Sequence, residues 1–170
     1  MIFSGNNKGL LPNDLVALAQ RVVDENREAG RKVALAESCT GGLVGAAITE
    51  IAGSSAMFGL GFVTYSNEAK QEQLGVPADL IDAFGAVSPA TAWAMARGAL
   101  EKSGADVAVA ISGIAGPDGG TDNKPVGTVV FARSVRGSEE VEAEERLFAG
   151  LDRSGVRHQA ALVALELLLP

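Results

Sequence analysis

Residues 37–42 read Glu-Ser-Cys-Thr-Gly-Gly, and three adjacent side chains there, Ser38, Cys39 and Thr40, are candidate nucleophiles. A free hydroxyl attacks a carbonyl poorly, so each needs a base beside it. A Ser-His-Asp arrangement is disfavoured, because the single histidine, His158, sits in a C-terminal helical pattern and reads as a surface residue. A Cys-His pair fails for the same reason, and Cys39 reads as a small packing residue rather than a nucleophile. The remaining base is lysine. Lys70 closes the run Tyr65-Ser66-Asn67-Glu68-Ala69-Lys70, near the start of a short helix that follows a strand. Burial and the positive end of a helix would both lower its pKa toward the range where it accepts a proton. The Tyr65 phenol could relay that proton or orient the amine. Spacing alone favours a plainer reading of Lys70 as a solvated helix charge, and Tyr65 fits equally well as a core residue with a wet hydroxyl.

Two strands end in small-residue loops. The first is Glu37-Ser38-Cys39-Thr40-Gly41-Gly42; the second runs Ser112-Gly113-Ile114-Ala115-Gly116-Pro117-Asp118-Gly119-Gly120. Glycine lets a backbone approach a ligand closely, and the free N–H groups of a helix start favour negative charge. Both loops are plausible anion cradles; the plainer reading, that the glycines only make tight strand-to-helix turns, is the less favoured for either loop and less still for both together. Neither carries the phosphate-loop pattern with its lysine, nor the spacing of a dinucleotide fingerprint. Arg153 and Arg157 stand one turn apart at the start of the last helix, and arginine suits bidentate phosphate recognition. Asp118 and Asp122 flank the second loop without calcium-loop spacing, so no metal site is expected.

The elements that must position these residues follow from periodicity. Residues 13–29 place Leu15, Leu18, Val22 and Val23 on one stripe with Gly30 as the stop, which predicts an amphipathic helix. Residues 32–36 and 61–65 read as strands, and 41–51 and 66–73 as helices, the latter capped by Ser66 and stopped by Gly75. Ser88-Pro89 opens a helix to Ser103. Residues 106–111 form a near-continuous apolar strand of the kind a parallel sheet buries on both faces. Residues 126–134 and 141–148 read as a hairpin, and 152–167 as a final helix with Val156, Ala160, Val163, Ala164 and Leu167 inward. Alternating helices and strands, with a hairpin before the last helix, predict an α/β fold: a three-layer α/β/α sandwich on a mixed, mostly parallel sheet.

The chain of 170 residues suits one domain, expected over 1–170, that can bury a core without a disulfide or metal staple. Net charge is −7, which argues against a general nucleic-acid binder but leaves room for a local basic pocket. One cysteine excludes an intramolecular disulfide and fits a reducing cytoplasm. The start, MIFSGNNKGLLPND, lacks the pattern of a signal peptide, and no run is apolar enough to span a membrane.

The stretches ALAESCTGG, AGSSAMFGLGFVTYSNEAKQEQLGV, AVSPATA, ISGIAGPDGG, KPVGTVVFA and DRSGVRHQA together resemble the CinA C-terminal domain family, over about residues 15–168. That family includes stand-alone nicotinamide-nucleotide amidohydrolases of the PncC type. The resemblance implies hydrolysis of the carboxamide of nicotinamide mononucleotide to nicotinate mononucleotide and ammonia, in pyridine nucleotide salvage. It implies no cofactor and no metal, a small-molecule nucleotide as partner, and a homodimer. Longer members carry a further N-terminal domain, and this chain looks like the amidohydrolase unit alone. Residue by residue, the resemblance makes Ser38 the nucleophile and Lys70 with Tyr65 the activating pair. It makes Thr40, Gly41, Gly42, Ser112, Gly113, Gly116 and Arg153 substrate contacts, with Arg153 on the phosphate. Ser112 stands where the family more often has Thr, which keeps the hydroxyl and loses a methyl. Either glycine loop could serve as oxyanion hole or phosphate nest. The rival expectations are a non-catalytic nucleotide-binding or regulatory module, and an amidase for another pyridine or nucleoside amide.

Overall fold

The computed structural model describes residues 9–170. The N-terminal stretch that lacks a signal-peptide pattern lies largely, in residues 1–8, outside the described residues. Among the described residues six α-helices and five strands follow one another as α1 (Asn13–Glu28), β1 (Val33–Glu37), α2 (Leu43–Thr49), β2 (Phe58–Val63), α3 (Asn67–Leu74), α4 (Ala78–Phe84), α5 (Pro89–Ser103), β3 (Val107–Gly113), β4 (Thr128–Val135), β5 (Glu142–Leu147) and α6 (Arg153–Leu167). The sheet order is β2-β1-β3-β4-β5. β1 pairs in parallel with β2 and β3, whereas β3–β4 and β4–β5 are antiparallel. The sheet is therefore mixed, with β4 the one strand running against the rest.

The two faces of the sheet differ in side-chain size, and the strand sequences show why. Successive strand residues point to opposite faces. Val33 and Leu35 of β1, Val107, Val109 and Ile111 of β3, and Val129 and Phe131 of β4 pack under α1, α2 and α6. Ala34 and Ala36, Ala108 and Ala110, and Val130 and Ala132 face α5, with α3 and α4 outside it. The alanine face lets α5 lie close to the sheet. α5 in turn meets α3 so tightly that a Cβ on Gly98 would come 1.9 Å from the Leu74 carbonyl oxygen. That contact backs the short helix that carries Lys70.

Most expected elements are present within a few residues, with three differences. α2 begins only at Leu43, because Gly41 and Gly42 hold positive φ (62° and 96°) and form the turn before it. β2 starts at Phe58, earlier than expected, and stops at Val63, so Tyr65 lies in the connection to α3 rather than at a strand end. α4 was not expected: Pro77 and the Gly85 stop frame a helix too short for a clear periodic stripe.

Candidate active site

In open α/β sheets ligands bind beyond the carboxyl ends of the parallel strands. Here three such ends are adjacent. β2 runs out into Thr64, Tyr65 and Ser66, β1 into Ser38 and Cys39, and β3 into Ser112 to Gly116. The registers set Glu37 beside Val63 on one side and Ile111 on the other, so these exits are level. A cavity of about 280 Å³ opens there, a size for a small molecule rather than a polymer.

Ser38 and Lys70 meet at this cavity. Lys70 Nζ lies 3.2 Å from Ser38 Oγ, although the residues are 32 apart in sequence. Lys70 sits one turn into α3, whose Ser66 cap accepts the Ala69 N–H at 3.1 Å. Its side chain turns inward and is only 1% exposed. The amine is within hydrogen-bond reach of three backbone carbonyls, Thr64 at 2.9 Å, Tyr65 at 3.3 Å and, more weakly, Ser66 at 3.5 Å. A neutral amine has two N–H donors and one lone pair. In the neutral form, with its hydrogens on the two nearer carbonyls, the lone pair is left for the Ser38 hydroxyl. Burial pushes the Lys70 pKa below the ordinary lysine value, which favours that neutral form. No carboxylate forms an ion pair with Lys70 among the described residues.

The structure separates Tyr65 from the role expected of its phenol. The side chain is 61% exposed and is not a core residue. Its hydroxyl accepts from Arg153 Nη2 at 3.0 Å, and only its backbone carbonyl touches Lys70. Arg153, the first residue of α6, also donates to the Gly116 carbonyl at 2.6 Å. Tyr65 and Arg153 thus line the same cavity as the Ser38–Lys70 pair.

Ser112, Gly113 and Gly116 line the cavity. Ser112 Oγ donates to the Ala86 carbonyl at 2.8 Å and ties the third wall, residues 86–87, to β3. Close packing alone requires glycine at two of these positions. A Cβ on Gly113 would meet Val129 at 2.8 Å, and one on Gly116 would meet Val126 at 2.5 Å. Thr40, Gly41 and Gly42 do not line the cavity and frame the loop from behind. The Gly41 N–H donates to the Ser38 carbonyl at 3.0 Å. The Glu37 carboxylate occupies the nest at the start of α2, accepting from Gly42 at 3.0 Å, Val44 at 3.2 Å and Gly45 at 2.8 Å. An internal anion already fills the cradle of the first loop, and only the second loop remains open to an external one.

Sequence reasoning missed Asn67 and Asp118, which both line the cavity. Asn67 follows Ser66 in the helix cap, a position read only for its effect on helix start. Asp118 was weighed only as a metal ligand. No cluster of three or more His, Cys, Asp or Glu with metal-holding geometry occurs among the described residues. Cys39 lines the cavity too, but burial pushes its thiol pKa up to about 11, so it stays protonated and is a poor nucleophile. His158 lies 3.0 Å from Asp14 and does not line the cavity.

An α/β sandwich with a buried Ser–Lys pair at its strand ends, faced by an arginine, has the makings of a small-molecule hydrolase. The chain matches the CinA C-terminal domain over residues 15–170, and it belongs to that family. It is 54% identical over 165 residues to a putative competence-damage inducible protein of Symbiobacterium thermophilum, covering 94% of this chain and 39% of that one. It is 50% identical over 156 residues to the nicotinamide-nucleotide amidohydrolase PncC of Escherichia coli K12, covering 92% of this chain and 93% of that one. The chain thus spans well under half of the first relative and nearly all of the second. Among solved structures, the competence/damage inducible protein CihA from Agrobacterium tumefaciens superposes with a TM-score of 0.91 at 47% identity, covering 94% of this chain and 96% of that one.

Proposed function

We propose that this chain hydrolyses the carboxamide of nicotinamide mononucleotide to nicotinate mononucleotide and ammonia, a step of pyridine nucleotide salvage. The observation that carries the proposal is the buried Lys70 amine, 3.2 Å from Ser38 Oγ, in a cavity walled by Arg153. The name and near-complete coverage of the Escherichia coli relative support the choice of substrate.

Neutral Lys70 takes the Ser38 hydroxyl proton as Oγ bonds to the amide carbon. The tetrahedral intermediate collapses, the C–N bond breaks, and the Lys70 ammonium protonates the departing nitrogen as ammonia. A water then attacks the acyl-serine, losing a proton to Lys70. That proton returns to Ser38 Oγ as the nicotinate product leaves. The net change is one water consumed and one ammonia released, with no redox step. The 5′-phosphate is held by Arg153 and the open 113–119 loop, since Glu37 already fills the first nest. Tyr65 holds Arg153 in place through its hydroxyl and supports Lys70 through its carbonyl.

The assembly in this reading is a homodimer in the cytoplasm. Strand β2 supports a self-association surface: it is an edge of the sheet with no charged residue, and Leu60 and Val63 are exposed. The test of function is ammonia release by the purified protein from nicotinamide mononucleotide, with Ser38→Ala alongside. Ser38→Ala should bind substrate and release no ammonia. Nucleotide binding by wild type without ammonia release would replace the enzyme reading with that of a binding module.

A further inference from the structure

Resting on that reading, we infer that Lys124 is a positioning residue that clasps the rim of the cavity, holding the loop proposed to take the substrate phosphate against the wall formed by residues 84–87. The starting point is how that wall is built. Residues 84–87 lead from α4 to α5, and Ala86 and Val87 line the cavity. Carbonyls taken out of water need donors. None of the four carbonyls from Phe84 to Val87 accepts from a main-chain amide among the described residues. Side chains hold all of them. Thr91 Oγ1 donates to the Gly85 carbonyl at 2.7 Å, with Ser88 Oγ 3.0 Å from the same oxygen, and Ser112 Oγ donates to Ala86. The two outer carbonyls, Phe84 and Val87, both accept from Lys124 Nζ, at 3.0 and 2.5 Å.

Lys124 itself comes from the β3–β4 connection. That connection leaves the sheet at Gly113 and returns at Thr128. Its neck is closed by the Ile114 N–H on the Thr128 carbonyl and the Gly127 N–H on the Ile114 carbonyl, each at 2.8 Å. The outgoing limb supplies Gly113 to Gly116, Asp118 and Gly119 to the cavity. It rests on the returning limb: a Cβ on Gly116 would come 2.5 Å from the Val126 side chain, and one on Gly120 would come 2.7 Å from the Val126 amide nitrogen. Lys124 stands two residues before Val126. It ends a turn tied by the Thr121 N–H on the Lys124 carbonyl at 2.9 Å and by the Lys124 N–H on Thr121 Oγ1 at 3.1 Å. A bond from Lys124 to the wall therefore holds the limb that backs the phosphate loop. Arg153 pins the same loop from α6, through the Gly116 carbonyl. No carboxylate forms an ion pair with Lys124 among the described residues, so its charge is spent on the two carbonyls. Charge-assisted bonds of this kind are stronger than neutral ones. Lys124 does not line the cavity, so it acts on substrate through the loop and the wall.

The test measures ammonia release by wild type, Lys124→Met and Lys124→Arg from nicotinamide mononucleotide and from the phosphate-free nucleoside, with inorganic phosphate as a competing anion. A tie that acts on the bound phosphate and not on the Ser38–Lys70 pair changes KM and leaves kcat. Lys124→Met should raise KM for the mononucleotide, and the phosphate concentration needed to inhibit, each about tenfold, the worth of one charge-assisted hydrogen bond. Its kcat at saturation, and its kcat/KM for the nucleoside, should stay within about twofold of wild type. Lys124→Arg offers a fork of donors to the two carbonyls and should stay within about threefold of wild type on every reading. If Lys124→Met does not fold, Lys124→Gln, which keeps one neutral donor, takes its place, with a KM rise of at least about threefold. A folded neutral variant with wild-type KM and wild-type phosphate inhibition overturns the inference. So does one that loses equally on mononucleotide and nucleoside, the mark of a purely structural residue. If wild type releases no ammonia, the hydrolase reading fails instead. Binding of nicotinate mononucleotide by wild type and the neutral variant, measured by calorimetry, then still decides the clasp: about tenfold weaker binding supports it and equal binding overturns it.

Discussion

Gly98→Ala is the most informative single perturbation of the scaffold. In an exposed helix interior this change stabilises by about 0.4–1 kcal/mol, because alanine restricts the unfolded chain. Gly98 is fully packed, and an added Cβ would sit 1.9 Å from the Leu74 carbonyl oxygen and 2.8 Å from its carbon. Real Cβ contacts do not fall below 3.0 Å, so α3 and α5 must separate by about 1 Å. Overpacking of this kind costs about 1–3 kcal/mol. For a chain of this length each kcal/mol is about 2–4 °C in Tm, so a fall of roughly 2–12 °C is expected by calorimetry. The same shift moves Lys70, on α3, relative to Ser38 on the sheet. A displacement of about 1 Å can cost about 10² in rate, so kcat should fall further than the stability loss alone implies. Gly59→Ala is the control, since nothing lies within 4 Å of its added Cβ and its φ is ordinary. A Gly98→Ala protein as stable and as active as wild type would refute the claim that α5 presses α3 into place.

Three further outcomes follow from the site. Lys70 has a lowered pKa in the fold, so the unfolded chain binds more protons between that value and the free lysine value of about 10.4. Wild-type stability should therefore rise with pH through that window, and the Tm advantage of Lys70→Met should shrink as pH rises; a difference independent of pH would contradict the buried-amine account. Arg153→Met should cut kcat/KM for the mononucleotide about 10–100-fold, the worth of a charge-assisted hydrogen bond, while changing turnover of the phosphate-free nucleoside within about twofold. Equal losses on both substrates would remove Arg153 from the phosphate. Cys39, with its thiol pushed up to about 11, should resist iodoacetamide in the native protein at neutral pH and react on denaturation. Rapid native labelling would show the loop to be open.

Much of this arrangement is legible in the sequence. The alternation in Val107-Ala108-Val109-Ala110-Ile111 states both that the strand is buried and that one face is small enough for a close helix. Ser66, Gly75, Ser88 and Gly104 mark helix ends that the structure keeps. Ser38 and Lys70 were readable as a pair of candidate groups, since each stands just past a parallel strand and adjacent strands bring such exits together. What was not readable depends on direction rather than type. Glu37 ends a buried strand, and nothing in its spacing says that its carboxylate turns back to fill the α2 nest. The Gly41 and Gly42 amides looked available because their acceptors, Glu37 and the Ser38 carbonyl, become neighbours only once the loop closes. Tyr65 and Lys70 share a motif, yet the phenol reaches across to α6, a contact 88 residues away in sequence.

The central claim is that the Lys70 amine activates Ser38, and the rate of ammonia release from saturating nicotinamide mononucleotide by folded Lys70→Met tests it most directly. Loss of a general base costs about 10²–10⁴-fold, so kcat should fall by at least about 100-fold while substrate binding persists. A folded Lys70→Met protein that releases ammonia at the wild-type rate would contradict it.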